Sequence, residues 1–230
     1  MRTLLMPLTL ALMLGSPAWG QQAPRAYLPS LGQGDVNLPL VSLRQAKMAG
    51  TLRQQYDFSC GSAALATLLT HHYDHPVTET EVFMQMYEVG DQAQIQREGF
   101  SLLDMKRFLQ SRGFVADGFE LPLDKLLEAR TPAIVLINEN GYMHFVVVKG
   151  LRGDRVLIGD PANGTRSLSR EAFEAHWPNR LLFVIHSHMN TARFNQRTDW
   201  AAVPTAPLTA GVSRDGLMGI TLPKHGPGDF

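Results

Sequence analysis

The stretch Arg53–Leu69 reads RQQYDFSCGSAALATLL and holds the only cysteine of the 230-residue chain, Cys60. From Gly61 onward it is small and apolar on every side, the pattern of a helix covered all round by other elements. HHYDHP (His71–Pro76) follows, and Pro76 stops the helix. Cys60 therefore stands at a helix mouth. Free backbone N–H groups and the positive end of the helix dipole favour a thiolate there. Gly61 beside it allows a tight turn and the close approach of a substrate.

Working outward, Thr78 and Glu81 predict a capping box for a helix reaching about Tyr87. Ser101 and Asp104 predict another helix start, with Gly113 past its end and Leu102, Met105, Phe108 and Leu109 as its apolar face. A short helix is expected after Pro122. The period then changes. AIVLI (Ala133–Ile137), HFVVVKG (His144–Gly150) and RVLIGD (Arg155–Asp160) read as strands, as does LLFVI (Leu181–Ile185) after a short helix over Ser169–His176. Helices first and an antiparallel sheet second predict an α+β fold.

Residues 1–20 read as a secretory signal: Arg2, a short apolar core, and small residues at Ala18 and Gly20. The core is too short for a comfortable transmembrane span, and no cysteine follows it to carry a lipid. The expectation is an exported or periplasmic protein with no stable membrane insertion after cleavage. Residues 21–47 read as a linker with a short strand near Val36–Leu43. Residues 48–186 form the expected domain. Residues 187–230, rich in Pro, Gly, Thr and Ala, read as a flexible extension. The apolar fraction of 44% supports a packed core, and a formal net charge of zero gives no electrostatic ground for nucleic acid as a partner.

A single cysteine in an exported chain makes no internal disulfide. It is a buried inert thiol, one half of an intermolecular bridge, or a nucleophile. A nucleophile needs a base, and the base needs an orienting group. A hairpin that sets Gly150 opposite Asp154 places His144 opposite Asp160, with Cβ atoms about 5 Å apart; a slip of one residue would separate them. The plainer readings are a core histidine and an aspartate that opens the turn DPANG. The oxyanion of acyl transfer needs preorganised donors. Gln54, six positions before Cys60, offers a side-chain amide beside the Cys60 backbone N–H; Gln55 is the neighbouring candidate, and a surface glutamine the plain one. The cluster His71, His72, Asp74 and His75 has metal-ligand chemistry, but at a helix C-terminus histidines serve the dipole, and no metal or other cofactor is expected.

The pattern Gln54–x5–Cys60–Gly61, then HFVVV, then GDP, resembles the C39 peptidases, papain-like cysteine peptidases best known from bacteriocin-exporting transporters. The resemblance spans Met48 to His186. It implies Cys60 as nucleophile, His144 as base, Asp160 as orienting acid and Gln54 as oxyanion donor, with a leader peptide cleaved after a double glycine as substrate. Many members carry Asp before the cysteine; here it is Ser59. A signal in place of a transporter resembles the stand-alone exported C39 proteins, including those of functional-amyloid (Fap) secretion systems. Amyloid subunits or an outer-membrane pore are then the implied partners. The alternatives are a binding module that holds an exported segment in the same cleft, and a transferase or amidase using the same nucleophile.

Overall fold

The computed structural model describes residues 25–28, 36–39 and 41–203; the expected signal and the last part of the expected extension lie outside the described residues. The chain divides into two units at Ser42/Leu43. In the first, β1 (Arg25–Leu28) pairs antiparallel with β2 (Val36–Pro39). The strand expected near Val36–Leu43 is thus shorter, and α1 (Leu43–Met48) takes the end of the expected linker.

In the second unit α2 (Cys60–His72) is buried from Cys60 to Leu69. Its alanines let neighbours approach on all sides. α3 (Glu79–Val89) starts at Thr78, whose side chain accepts from the Glu81 N–H. α4 (Gln92–Glu98) follows, capped by Asp91. α5 (Leu102–Ser111) has the full reciprocal capping box of Ser101 and Asp104. Then come β3 (Ala116–Glu120), α6 (Asp124–Ala129), β4 (Ala133–Glu139), β5 (Tyr142–Arg152), β6 (Arg155–Asp160), β7 (Gly164–Ser169), α7 (Arg170–Ala175), β8 (Leu181–Ile185) and α8 (Arg197–Ala201). Six strands form one antiparallel sheet in the order β3-β8-β4-β5-β6-β7. The N-terminal helices cover one face, where Leu65, Leu69, Met105 and Phe108 meet Phe145 and Val147. Leu126 of α6, with Phe173 and Trp177 at α7, covers the other face against Val146, Val148 and Ile158. The fold is α+β as expected.

The β5–β6 hairpin differs from the expected register. It turns at Gly153–Asp154, with Arg152 opposite Arg155 and Gly150 opposite Leu157. Gly153 supplies the positive φ, +58°. Carried on unbroken, this register would put His144 and Asp160 on opposite faces, because each opposed pair joins an odd to an even position. A β-bulge at Lys149 inserts one residue, so that Val148 faces Ile158 and Val147 faces Gly159. The two residues regain a common face as diagonal rather than direct neighbours.

Within the expected extension, residues 195–200 make defined contacts. They dock on the bulge. The Asn195 N–H donates to the Lys149 carbonyl at 2.8 Å, and Asn195 Nδ2 donates to the Leu151 carbonyl at 2.8 Å. Trp200 Nε1 donates to Asn195 Oδ1 at 2.7 Å, and the Arg152 guanidinium lies over the Trp200 ring at 4.4 Å. Lys149 is fully buried; its Nζ donates to the Gly50 carbonyl at 2.7 Å and pairs with Asp199 of α8. The small polar composition of the segment hides these few anchors.

Candidate active site

Cys60 is the first residue of α2 and is 7% exposed. Ser59 closes the loop before it by donating to the Tyr56 carbonyl at 3.0 Å and accepting the Tyr56 N–H at 3.1 Å. The thiol lies against the backbone amides of Phe145 and Gly61. Phe145 follows His144 on β5, so the cysteine lies against the stretch of backbone that carries the expected base. The thiolate expectation needs correcting in one respect. Burial pushes the Cys60 thiol up, and the backbone amides around it offset this only in part. The helix mouth alone does not activate it.

His144 is 3% exposed. Its Nε2 points to Asp160 Oδ2 at 3.5 Å, longer than an ordinary hydrogen bond, and its Nδ1 is buried without a partner. Tyr142, two residues earlier on the same face, stacks on the imidazole at 5.3 Å between centroids. Asp160 is fully buried. Its Oδ1 accepts the Ala162 and Asn163 N–H groups at 2.8 and 3.1 Å; its Oδ2 accepts Asn163 Nδ2 at 3.1 Å and Arg166 Nε at 3.0 Å. Burial on its own would push this carboxyl up. His144, Asn163, the Ala162 amide and Arg166 together outweigh it and hold Asp160 well below the usual carboxylate range. Asp160 therefore both opens the DPANG turn and faces the histidine; the two readings are one geometry.

Gln54 is tied to the same loop, since its N–H donates to the Pro161 carbonyl at 3.1 Å. Its side-chain Nε2 donates to the Tyr56 and Asp57 carbonyls at 3.1 and 3.5 Å. The Tyr142 hydroxyl donates to the same Asp57 carbonyl at 3.1 Å. Gln55 turns away to Thr80. The structure thus gathers Cys60, His144, Asp160 and Gln54 around the end of β5, and drops Gln55.

Sequence reasoning missed Arg166 and Glu139. Arg166 Nη2 reaches Asp160 Oδ2 at 2.8 Å and Glu139 Oε1 at 2.7 Å. Both lie on polar strand ends with no periodic signal. Only their placement diagonal to Asp160 and His144 would have pointed to them. Glu139, His144 and Asp160 bring ligand-type atoms within 4.8 Å of one another. The guanidinium already bridges both carboxylates, so the group is an ion-pair network rather than a cation site. The His71–His75 cluster does not converge either: His72 Nδ1 donates to the Arg193 carbonyl, Asp74 pairs with Arg193, and His75 lies edge-on to Phe114.

A groove of about 800 Å³ opens beside Cys60, lined by Ile95, Phe100, Leu102, Leu136 and Met143 among others. It is wide enough for several apolar side chains of a bound chain segment.

A thiol at a helix mouth against the strand that carries a histidine, with a buried carboxylate 3.5 Å from that ring, fits nucleophilic acyl transfer. The chain is 38% identical over 203 residues to "Probable functional amyloid protease FapD" of Pseudomonas fluorescens, covering 88% of this chain and 86% of that one. It is 36% identical over 211 residues to the protein of the same name from Pseudomonas aeruginosa, covering 91% and 88%. The peptidase domain of Streptococcus ComA, a bi-functional ABC transporter, shares the fold at a TM-score of 0.50 and 20% identity, over 59% of this chain and 96% of that domain. Residues 49–188 match the model of the Peptidase C39 family, and the chain belongs to that family of cysteine peptidases.

Proposed function

We propose that the chain is an exported cysteine endopeptidase that cuts a secreted protein or leader peptide and supports functional-amyloid export. The observation that carries the reading is the position of Cys60 against the Phe145 amide, next to a His144 whose Nδ1 is unpartnered and whose Nε2 faces Asp160. The substrate lies in the groove beside Cys60. His144 takes the thiol proton, and the sulfur attacks the scissile carbonyl carbon. The oxyanion is met by the Cys60 N–H and by Gln54 once its amide turns from the Tyr56 carbonyl. The C–N bond breaks as His144 returns the proton to the leaving amine. Water then cleaves the thioester, with His144 as base, and frees Cys60. Export rests on the signal-like N-terminal sequence, and the amyloid context on the two Pseudomonas relatives.

The test incubates the purified chain with functional-amyloid subunits and with double-glycine leader peptides and follows product masses. Parent protein cleaves and Cys60→Ala does not, while both fold alike by circular dichroism. Cleavage by Cys60→Ala would overturn the mechanism. Unchanged secretion in cells carrying Cys60→Ala would favour the binding module.

A further inference from the structure

The acceptors around His144 are unevenly loaded. An ionised carboxylate offers about four lone-pair sites. Asp160 receives the Ala162 and Asn163 amides, Asn163 Nδ2, and Arg166 through both Nε and Nη2. Its capacity is already filled by donors other than the histidine, which fits the long 3.5 Å separation from His144 Nε2. Glu139 is loaded differently. Its Oε1 takes Arg166 Nη2, while its Oε2 stands 4.0 Å from the same His144 Nε2 and, among the described residues, accepts no other hydrogen bond. His144 Nε2 itself is buried and lacks a partner at hydrogen-bond distance. A carboxylate oxygen from each of Asp160 and Glu139 stands within 4.0 Å of Nε2.

The geometry points to Glu139 as a second orienting carboxylate for His144, coupled to Asp160 through Arg166. Glu139 and Arg166 are positioning residues: they act through the imidazole. The register explains the placement. Ile137 faces His144 and Glu139 faces Tyr142 across β4–β5, so Glu139 is the diagonal neighbour of His144 on its own face. The charged and titratable groups around the ring are Cys60 from α2, Glu139 from β4, Tyr142 from β5, Asp160 from β6 and Arg166 from β7. With the thiolate–imidazolium pair formed, two carboxylates face one imidazolium, and Arg166 holds them together against their mutual repulsion.

This inference rests on the pairing of Cys60 with His144, and its test separates the two. The probe is iodoacetamide, with the rate of Cys60 alkylation followed across pH in the parent, His144→Ala, Glu139→Gln, Asp160→Asn and the Glu139→Gln/Asp160→Asn double variant. An acid-side rate in the parent that vanishes in His144→Ala establishes the pair; its absence would sink the pairing itself. If Glu139 backs up Asp160, each single variant slows acid-side alkylation by about threefold to tenfold, and the double variant falls at least about tenfold below the product of the two. Glu139→Gln also moves the alkaline limb to lower pH, because an anion beside the imidazolium is gone, while Glu139→Asp restores part of the rate. Additive losses, or a Glu139→Gln profile identical to the parent, would overturn the assignment. Thermal midpoints of all variants distinguish a lost positioning contact from a lost fold.

Discussion

At Cys60 two influences oppose each other. The helix mouth offers backbone donors, and burial withdraws the solvent that would stabilise a thiolate. Burial wins, and on the proposed mechanism the activation comes from His144. His144→Ala should therefore move Cys60 alkylation to pH above the free-thiol value of about 8.5 rather than merely to it. Asp160 shows the reverse balance. Its carboxyl is held below the usual range in the folded chain. The stability it adds is complete above the unfolded value of about 4 and fades as pH falls below it. Melting curves of Asp160→Asn should lie well below those of the parent at neutral pH, and the gap should close in acid. A gap as wide at about pH 2 as at neutral pH would mean that shape rather than charge is lost.

Among the elements, those with a strong apolar period were legible in advance, and those at the margins were not. α2, α5, β4 and β6 each carry a buried face and a cap or turn that marks an end. β3 (ADGFE) and β7 (GTRSLS) are the two edge strands of the sheet. An edge strand has one neighbour and needs little apolar surface, so its composition resembles a loop. α4 buries Ile95 alone and announces itself only through its Asp91 cap. Cys60, His144, Asp160 and Gln54 could be named because their residue types carry chemistry at recognisable element ends. Arg166 and Glu139 could not, because their importance comes from diagonal pairings across β6–β7 and β4–β5 that polar strand residues do not announce. Two changes test this scale. Ser101→Ala should cost about 1 kcal/mol in chemical denaturation, with a normal slope, since only a cap is lost. Lys149→Met should cost about 3–5 kcal/mol, because Asp199 is left as an uncompensated buried charge, and adding Asp199→Leu should recover much of it.

The unit from Leu43 onward is built on a two-faced sheet with its candidate site at one end and a strap across β5. The strap, residues 193–203, lies beyond the span matched to the family, yet it holds the bulge through Asn195, Asp199 and Trp200. Ending the chain at His188 should lower the thermal midpoint and slow Cys60 alkylation together. A loss of midpoint with unchanged alkylation would assign the strap to stability alone. The buried lysine has a consequence in time as well as in space. A chain is made and delivered from its N-terminus, so Cys60, His144 and Asp160 all emerge before the aspartate that Lys149 requires. Until Asp199 arrives, burying Lys149 at the bulge is opposed by an unpaired charge. On the proposed mechanism the thiol gains its reactivity only once Asp199 and its neighbours have docked on β5.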